Sequence, residues 1–340
     1  MNKSLKILPL RFWIITAVFL LLISLRVALP FAAKWYLNSS LQNSADFTGK
    51  INKINMNLIR GAYTISGVSL SLKSGDTAIS FISAEAIDFL VNWGSLFSGK
   101  LIARGEIRVP EMDYVIGVTQ VPQGKPLAEI FKELFPVRID LLILSDAKIR
   151  VKNATTNPQY ELYMTDVDAS IINLTNSRKI SEDLYASMKL RGIFMESGVF
   201  EMSMSFNPVS VNPVFNLNAT MTELDLTELS EAARAHAGIT FENGFFGARS
   251  KLTTEKNTIT GFIKPVFVNL QVFSTDEEDL LKKFQDAITG ATSEIIEDPE
   301  NRISATIPVT IPLKPTDSDY FSIVAGALIT SFGKAIIPEI

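Results

Sequence analysis

The sequence predicts a mainly β protein: an N-terminal transmembrane helix, then a long, curled, mostly antiparallel sheet with a few short helices and a C-terminal helix. Three observations carry this. Phe12 to Leu25 holds no charged residue. From about Phe47 onward, apolar residues recur at every second position, the period of strands with one buried face. Gly, Pro, Asn and Ser clusters punctuate those runs at short intervals.

The apolar stretch comes first. A helix rises ~1.5 Å per residue, so a hydrocarbon core of ~30 Å needs roughly 20 residues. Ile7 to Leu25 provides nineteen, with Arg11 the one charge, near an end where its side chain can snorkel. Phe12, Trp13, Phe19, Leu22 and Leu25 are the expected membrane-facing residues. Trp13, Trp35 and Tyr36 fall where aromatic belts form. Lys3, Lys6 and Arg11 precede the run and Arg26 and Lys34 follow it, a bias toward a cytoplasmic N-terminus. A cleaved secretory signal is the alternative. It needs small residues at the cleavage positions, and Leu29-Pro30-Phe31-Ala32-Ala33 sets Pro or Phe in the critical slot. An uncleaved signal anchor is the preferred reading, with residues 1–30 as tail and anchor and 31–340 as one β-rich body. A short helix through Trp35 and Leu41 follows, with a kink expected at Pro30.

Alternation then runs through Val68, Leu70 and Leu72, through Ile139, Leu141 and Ile143, and through Ala147, Ile149 and Val151. It is clearest in Phe200, Met202, Met204 and Phe206, and in Phe215, Leu217, Ala219 and Met221. About fourteen strands are expected, and at ~4.8 Å each a continuous sheet would extend roughly 65 Å and have to curl. Helices are expected at Pro126–Phe135, at Glu228–His236 with Gly238 as C-cap, at Asp276–Ile296 behind a capping box, and at Asp319–Ile337. The last is too short to span a bilayer comfortably and is expected to dock on the sheet.

Composition narrows the function classes. Of 340 residues 47% are hydrophobic, and the mean hydropathy of +0.22 is high for a soluble protein. The net charge is −4, or −4 − 3 = −7 without Lys3, Lys6 and Arg11, which disfavours a nucleic-acid partner. The chain has no cysteine, so disulfides, thiolate chemistry and cysteine–zinc sites are excluded.

No catalytic, cofactor or metal residues are assigned. Gly94 to Lys100 has the glycine and lysine spacing of a phosphate loop, but Leu101 replaces the required hydroxyl and a strand pattern follows, so a turn between strands is expected. His236 is the one histidine and reads as a solvated helix end. Asp276 to Asp279 suits a helix dipole better than a calcium loop, which alternates its ligands. The G-x-S-x-G elbow is absent.

The order of blocks is informative. The anchor leads into RVALPFAAKWYLNSSL, then YTISGVSLSL, then IDFLVNWGSLFSGKLIARGEIRVPEMDY, and near the end GFIKPVFVNLQVF. This order resembles the AsmA-like envelope proteins, in particular their domain-of-unknown-function branch in Gram-negative bacteria. The most specific matches are Trp93 to Gly99 and Gly261 to Pro265. The resemblance implies an inner-membrane anchor, a periplasmic, repeat-built β-groove, and a part in phospholipid handling and envelope homeostasis, without catalytic residues. A sheet with one apolar face must close on itself or cover that face with acyl chains, because exposing it costs about 25 cal/mol per Å². Phe200, Met202, Met204, Phe206, Phe215, Leu217 and Met221 are the expected lining, the methionines adapting to flexible chains. The same residues also suit an ordinary closed core. In that case the chain is a structural or regulatory envelope protein that binds protein partners.

Overall fold

The computed structural model describes residues 10–42, 47–74, 77–116, 137–177, 185–210, 213–274, 295–298, 301–313 and 320–336. One 33-residue helix, α1 (Leu10–Gln42), leads into β1 (Phe47–Asn57), β2 (Ala62–Ser74) and β3 (Thr77–Val91). A five-residue helix, α2 (Trp93–Phe97), turns the chain into β4 (Leu101–Ile116). Then come β5 (Val137–Asn153), β6 (Tyr160–Thr175), β7 (Ala186–Phe194), β8 (Gly198–Phe206) and β9 (Phe215–Asp225). A 3-10 turn at Leu226–Leu229 and α3 (Ser230–Ala237) precede β10 (Ile239–Glu255) and β11 (Thr258–Ser274). The short strands β12 (Ile295–Asp298), β13 (Arg302–Ala305) and β14 (Ile307–Pro312) are followed by α4 (Tyr320–Ile336).

The fourteen strands form one sheet, in chain order from β1 to β11. Beyond β11 the edge forks. Val266–Val268 pair with β13, which carries β12 outside it, and Thr258–Ile263 pair with β14. β1 and β12 are opposite edges of this path, so the sheet is not closed. Neighbours are antiparallel except β4 and β5, which run parallel. That pair is clipped on its outer face by register partners: Arg150 Nε donates to Asp113 at 2.6 Å, with Glu111 3.6 Å from the same guanidinium. The Asp113 hydrogen bond pushes the Arg150 pKa further up.

The expected helices fare differently. Pro30 sits inside α1, and the helix runs on to Gln42. Proline removes one intrahelical bond, and the packing of the following turns against β1 keeps them helical. Gly238 closes α3 in a left-handed conformation (φ 68°). α4 lies on the sheet, with Val324, Ala327, Ser331 and Ala335 buried. Ile295 and Ile296, expected at a helix end, instead form β12, where β-branched side chains suit the hairpin with β13. The rest of that expected helix, and Pro126–Phe135, lie outside the described residues.

A crease crosses the strands. Gly67 on β2, Val109 on β4, Asp146 on β5 and Asp166 on β6 all have positive φ at neighbouring register positions. Glu223, Gly244 and Asn269 repeat the feature on β9, β10 and β11. Left-handed residues and bulges bend strands and add twist. Along this line the inward-facing positions also change phase. In β1, Ile51 and Ile54 are both buried with Asn52 and Lys53 exposed between them.

The core occupies the second half of the sheet. Strands β7 to β11 alternate between buried and outward residues, with a change of phase at Thr222–Glu223 and at Glu242–Asn243, and their buried side chains join α3, α4 and β14 in one cluster. Phe206, Phe215, Phe246 and Phe267 are its largest fully buried members.

Candidate functional site

The register lines up one inner face across both halves of the sheet. One row runs Met56, Tyr63, Phe89, Gly105, Leu142, Ile171, Met188, Met204, Leu217. The next runs Ile54, Ile65, Ile87, Ile107, Leu144, Ala169, Leu190, Met202, Ala219. Both rows are apolar from edge strand to core.

What covers them differs. All seven residues expected to line a groove lie in the second half, 1–8% exposed: Phe200, Met202, Met204, Phe206, Phe215, Leu217 and Met221. They belong to the core cluster, and Phe332 of α4 meets the Phe200 ring edge-on at 6.1 Å. Over β1 to β5 the described helices in contact are α1, which docks beside the β1 edge, and the five-residue α2 at the start of β4. Met56, Tyr63, Ile65, Ile87, Phe89, Ile107 and Leu144 are only half-buried there, and Leu142, also half-buried, already packs against the core cluster. Sequence reasoning passed over the β1–β4 members because the crease breaks the strict alternation by which strands are recognised. The doublet Ile51/Ile54 in KINKIN was the available signal.

α1 joins the sheet at this open half. The Asn38 side chain accepts from Ile51 N–H at 2.7 Å and donates to Ile51 C=O at 3.1 Å, satisfying backbone groups on the edge strand. Leu41 Cδ1 and Leu70 Cδ1 both stand 3.2 Å from where a Cβ on Gly49 would be, so glycine permits that close approach. Of the expected anchor residues, Phe12, Trp13 and Phe19 are exposed on α1; the side chains of Leu22 and Leu25 lie outside the described set. α1 is the one described helix long and apolar enough to cross a membrane, and no residue of its apolar window is buried.

The other motifs resolve into structure. Gly94 to Lys100 forms α2 and a turn, with Asn92 capping Ser95 N–H at 3.0 Å, and β4 follows directly. His236 lies in the last turn of α3, as expected, but is half-buried instead of solvated. Its Nε2 lies 2.8 Å from the Tyr160 hydroxyl, which also accepts from Asn153 Nδ2 at 3.2 Å. Packing of α3 back across the curled sheet onto β6 draws the ring inward. Asp276 to Asp279 lie outside the described residues.

The outer face holds an open trough of about 720 Å³ across β5 to β9. Of its charged lining, Asp168, Arg191 and Glu201 are successive cross-strand partners, with Arg191 Nε 3.7 Å from Glu201, while Lys189 stands between Ser170 and Ser203. Leu141 and Ile143 line it too, while Leu142 packs inward, which explains the apolar run LLIL in β5. Among the described residues no group of three or more His, Asp or Glu side chains is placed to hold a metal. Compared with known proteins, the chain matches no family model and no curated protein.

Proposed function

We propose that the chain is a non-enzymatic, single-pass protein of the inner membrane whose periplasmic β-sheet handles phospholipid. One observation carries this reading. The apolar inner face of β1 to β5 continues the core, and among the described residues it is not joined to the cluster with which α3 and α4 cover the second half. A face of that kind needs apolar occupants, and acyl chains fit an unclosed, curled sheet. α1 supports the same reading by docking on the open half, so lipid leaving a bilayer would meet that face first. The basic residues ahead of the apolar stretch favour a cytoplasmic N-terminus. The resemblance of the Trp93–Gly99 and Gly261–Pro265 blocks to AsmA-like envelope proteins points the same way.

The test is purification of the full chain in mild detergent followed by lipid mass spectrometry, with a photo-cross-linking residue at Ile87 or at Met204. Phospholipid captured from position 87 and not from 204 is the expected result. Absence of stoichiometric phospholipid overturns the proposal.

A second reading is a structural or regulatory envelope protein that binds protein partners. The exposed Ile329 on the outward side of α4 favours it. Capture of one defined protein from position 329, with no lipid bound, would select it.

A further inference from the structure

The end of the sheet from which α1 projects carries apolar residues that the core does not use. Three contacts fix the direction of α1 along β1. Gln42 C=O accepts from Lys73 Nζ at 3.4 Å, beside the start of β1; Leu41 lies against Gly49; and Asn38 pairs with Ile51. Each step toward the N-terminus of α1 therefore moves toward the far end of β1. The half-buried residues Pro30, Ala33, Lys34, Leu37, Asn38 and Leu41 recur at helical spacing along this docked face.

Beyond β1 lies the turn 58–61. β1 ends at Asn57, six residues past Ile51, about 20 Å at ~3.3 Å per residue, and the turn holds Ile59 at that end. The same distance along α1 from Asn38, at ~1.5 Å per residue, reaches the last turns of the Phe12–Leu25 stretch. Ile59 is therefore level with the end of the apolar span.

The β3–β4 connection reaches the same level. Val91 N–H donates to Gly61 C=O at 2.8 Å, and the Trp93 indole lies against Gly61, whose φ of 65° and crowded Cα require glycine. Trp93 stacks on Phe97 with ring centroids 6.1 Å apart. Ile59 and Phe97 are each 86% exposed, more than any other large apolar residue described. Arg60, Lys100 and Arg104 are exposed around them, and residues 57–61 and 92–105 contain no acidic side chain.

Exposed aliphatic and aromatic side chains framed by cations match the boundary between headgroups and acyl chains. We propose that this end of the sheet is a second membrane contact. Ile59, Trp93 and Phe97 seat in the interface of the bilayer that α1 crosses, with Arg60, Lys100 and Arg104 on anionic headgroups. This rests on the reading of α1 as a membrane span, and it would hold the open half of the sheet upright over the lipid surface.

The chain has no cysteine, so single nitroxide labels can be placed without background. The full chain is reconstituted in vesicles of phosphatidylethanolamine and phosphatidylglycerol with labels at Phe19→Cys, Ile59→Cys, Phe97→Cys or Gln159→Cys. Gln159 is exposed in the β5–β6 connection, at the opposite end of the sheet. The ratio of accessibility to oxygen over a water-soluble nickel complex is expected to be several-fold higher at 59 and 97 than at 159. It should fall at both when Arg60→Gln and Lys100→Gln are combined. Labels at 59 and 97 as aqueous as at 159, with 19 embedded, overturn the second contact and leave the anchor standing. An aqueous label at 19 overturns the anchor and the contact together.

Discussion

Asn38 on the helix grips Ile51 on the edge strand by both backbone groups, at 2.7 and 3.1 Å. A side-chain amide can mimic a neighbouring strand here because it carries a donor and an acceptor on one planar group. The contact blunts the β1 edge and makes the helix and sheet one unit. Asn38→Ala removes both bonds at a net cost of roughly 0.5–1.5 kcal/mol each. Hydrogen exchange at the Ile51 amide should accelerate, with the amides of β8 and β9 unaffected. An unchanged Ile51 rate would show that the pairing is not what holds the helix.

α4 is the cover of the second half, and Phe332 against Phe200 is its aromatic contact there. Phe332→Ala leaves a gap over buried Phe200 and Met202 and is expected to destabilise by about 2–4 kcal/mol. An apolar fluorescent dye should then bind the newly exposed face. Wild-type stability with no dye binding would mean that α4 contributes little to that core.

Much of this fold was legible because β7 to β11 obey the simplest rule in the sequence. Phe200, Met202, Met204 and Phe206 alternate with Glu201, Ser203 and Ser205, and the chain order of the strands follows from the short turns between them. The division of the apolar face was not legible. Nothing in the spacing of Met204 or Leu217 says that a helix more than a hundred residues later covers them. The open half was hidden by the crease, which flips the inward positions between Ile51 and Ile54 and between Ala84 and Ile87. The partner of His236 was hidden for a related reason: α3 folds back onto β6, a contact between residues 76 positions apart.

Val109 is the strained member of the crease. Gly, Asp and Asn tolerate a left-handed backbone, whereas a β-branched residue at φ 47° does so at a cost on the order of 1–2 kcal/mol. Val109→Asn should therefore keep or raise the denaturation midpoint, although it removes apolar atoms from a half-buried site. A clear fall in the midpoint would show that packing at 109 outweighs the backbone strain.

Tyr160 links three elements through one hydroxyl, accepting from buried Asn153 and meeting His236 of α3. Tyr160→Phe keeps the ring and deletes the oxygen, leaving the Asn153 Nδ2 donor short of a partner at a cost of about 1–3 kcal/mol. The ring contact with His236, at a centroid distance of 5.4 Å, should survive. Chemical denaturation would read the loss. A double variant with His236→Ala that costs much less than the sum of the two singles would confirm that the groups act together.

Ile87 and Met204 lie on the same inner face, and the contrast between them tests its division. Met204 is buried at 4% in the core cluster, and Ile87 is half-buried on β3, outside that cluster. Burying a hydroxyl where a large apolar side chain packed loses both transfer energy and cavity contacts, about 2–5 kcal/mol for Met204→Ser. Ile87→Ser should cost well under half of that, because part of its surface is already free of protein. In the same preparations Ile87→Ser should lower copurifying phospholipid per folded chain, whereas Met204→Ser should lower the amount of folded chain and leave that ratio unchanged. Equal stability losses at both positions, with no change in lipid at either, would mean that the face over β1 to β5 is closed in solution as well.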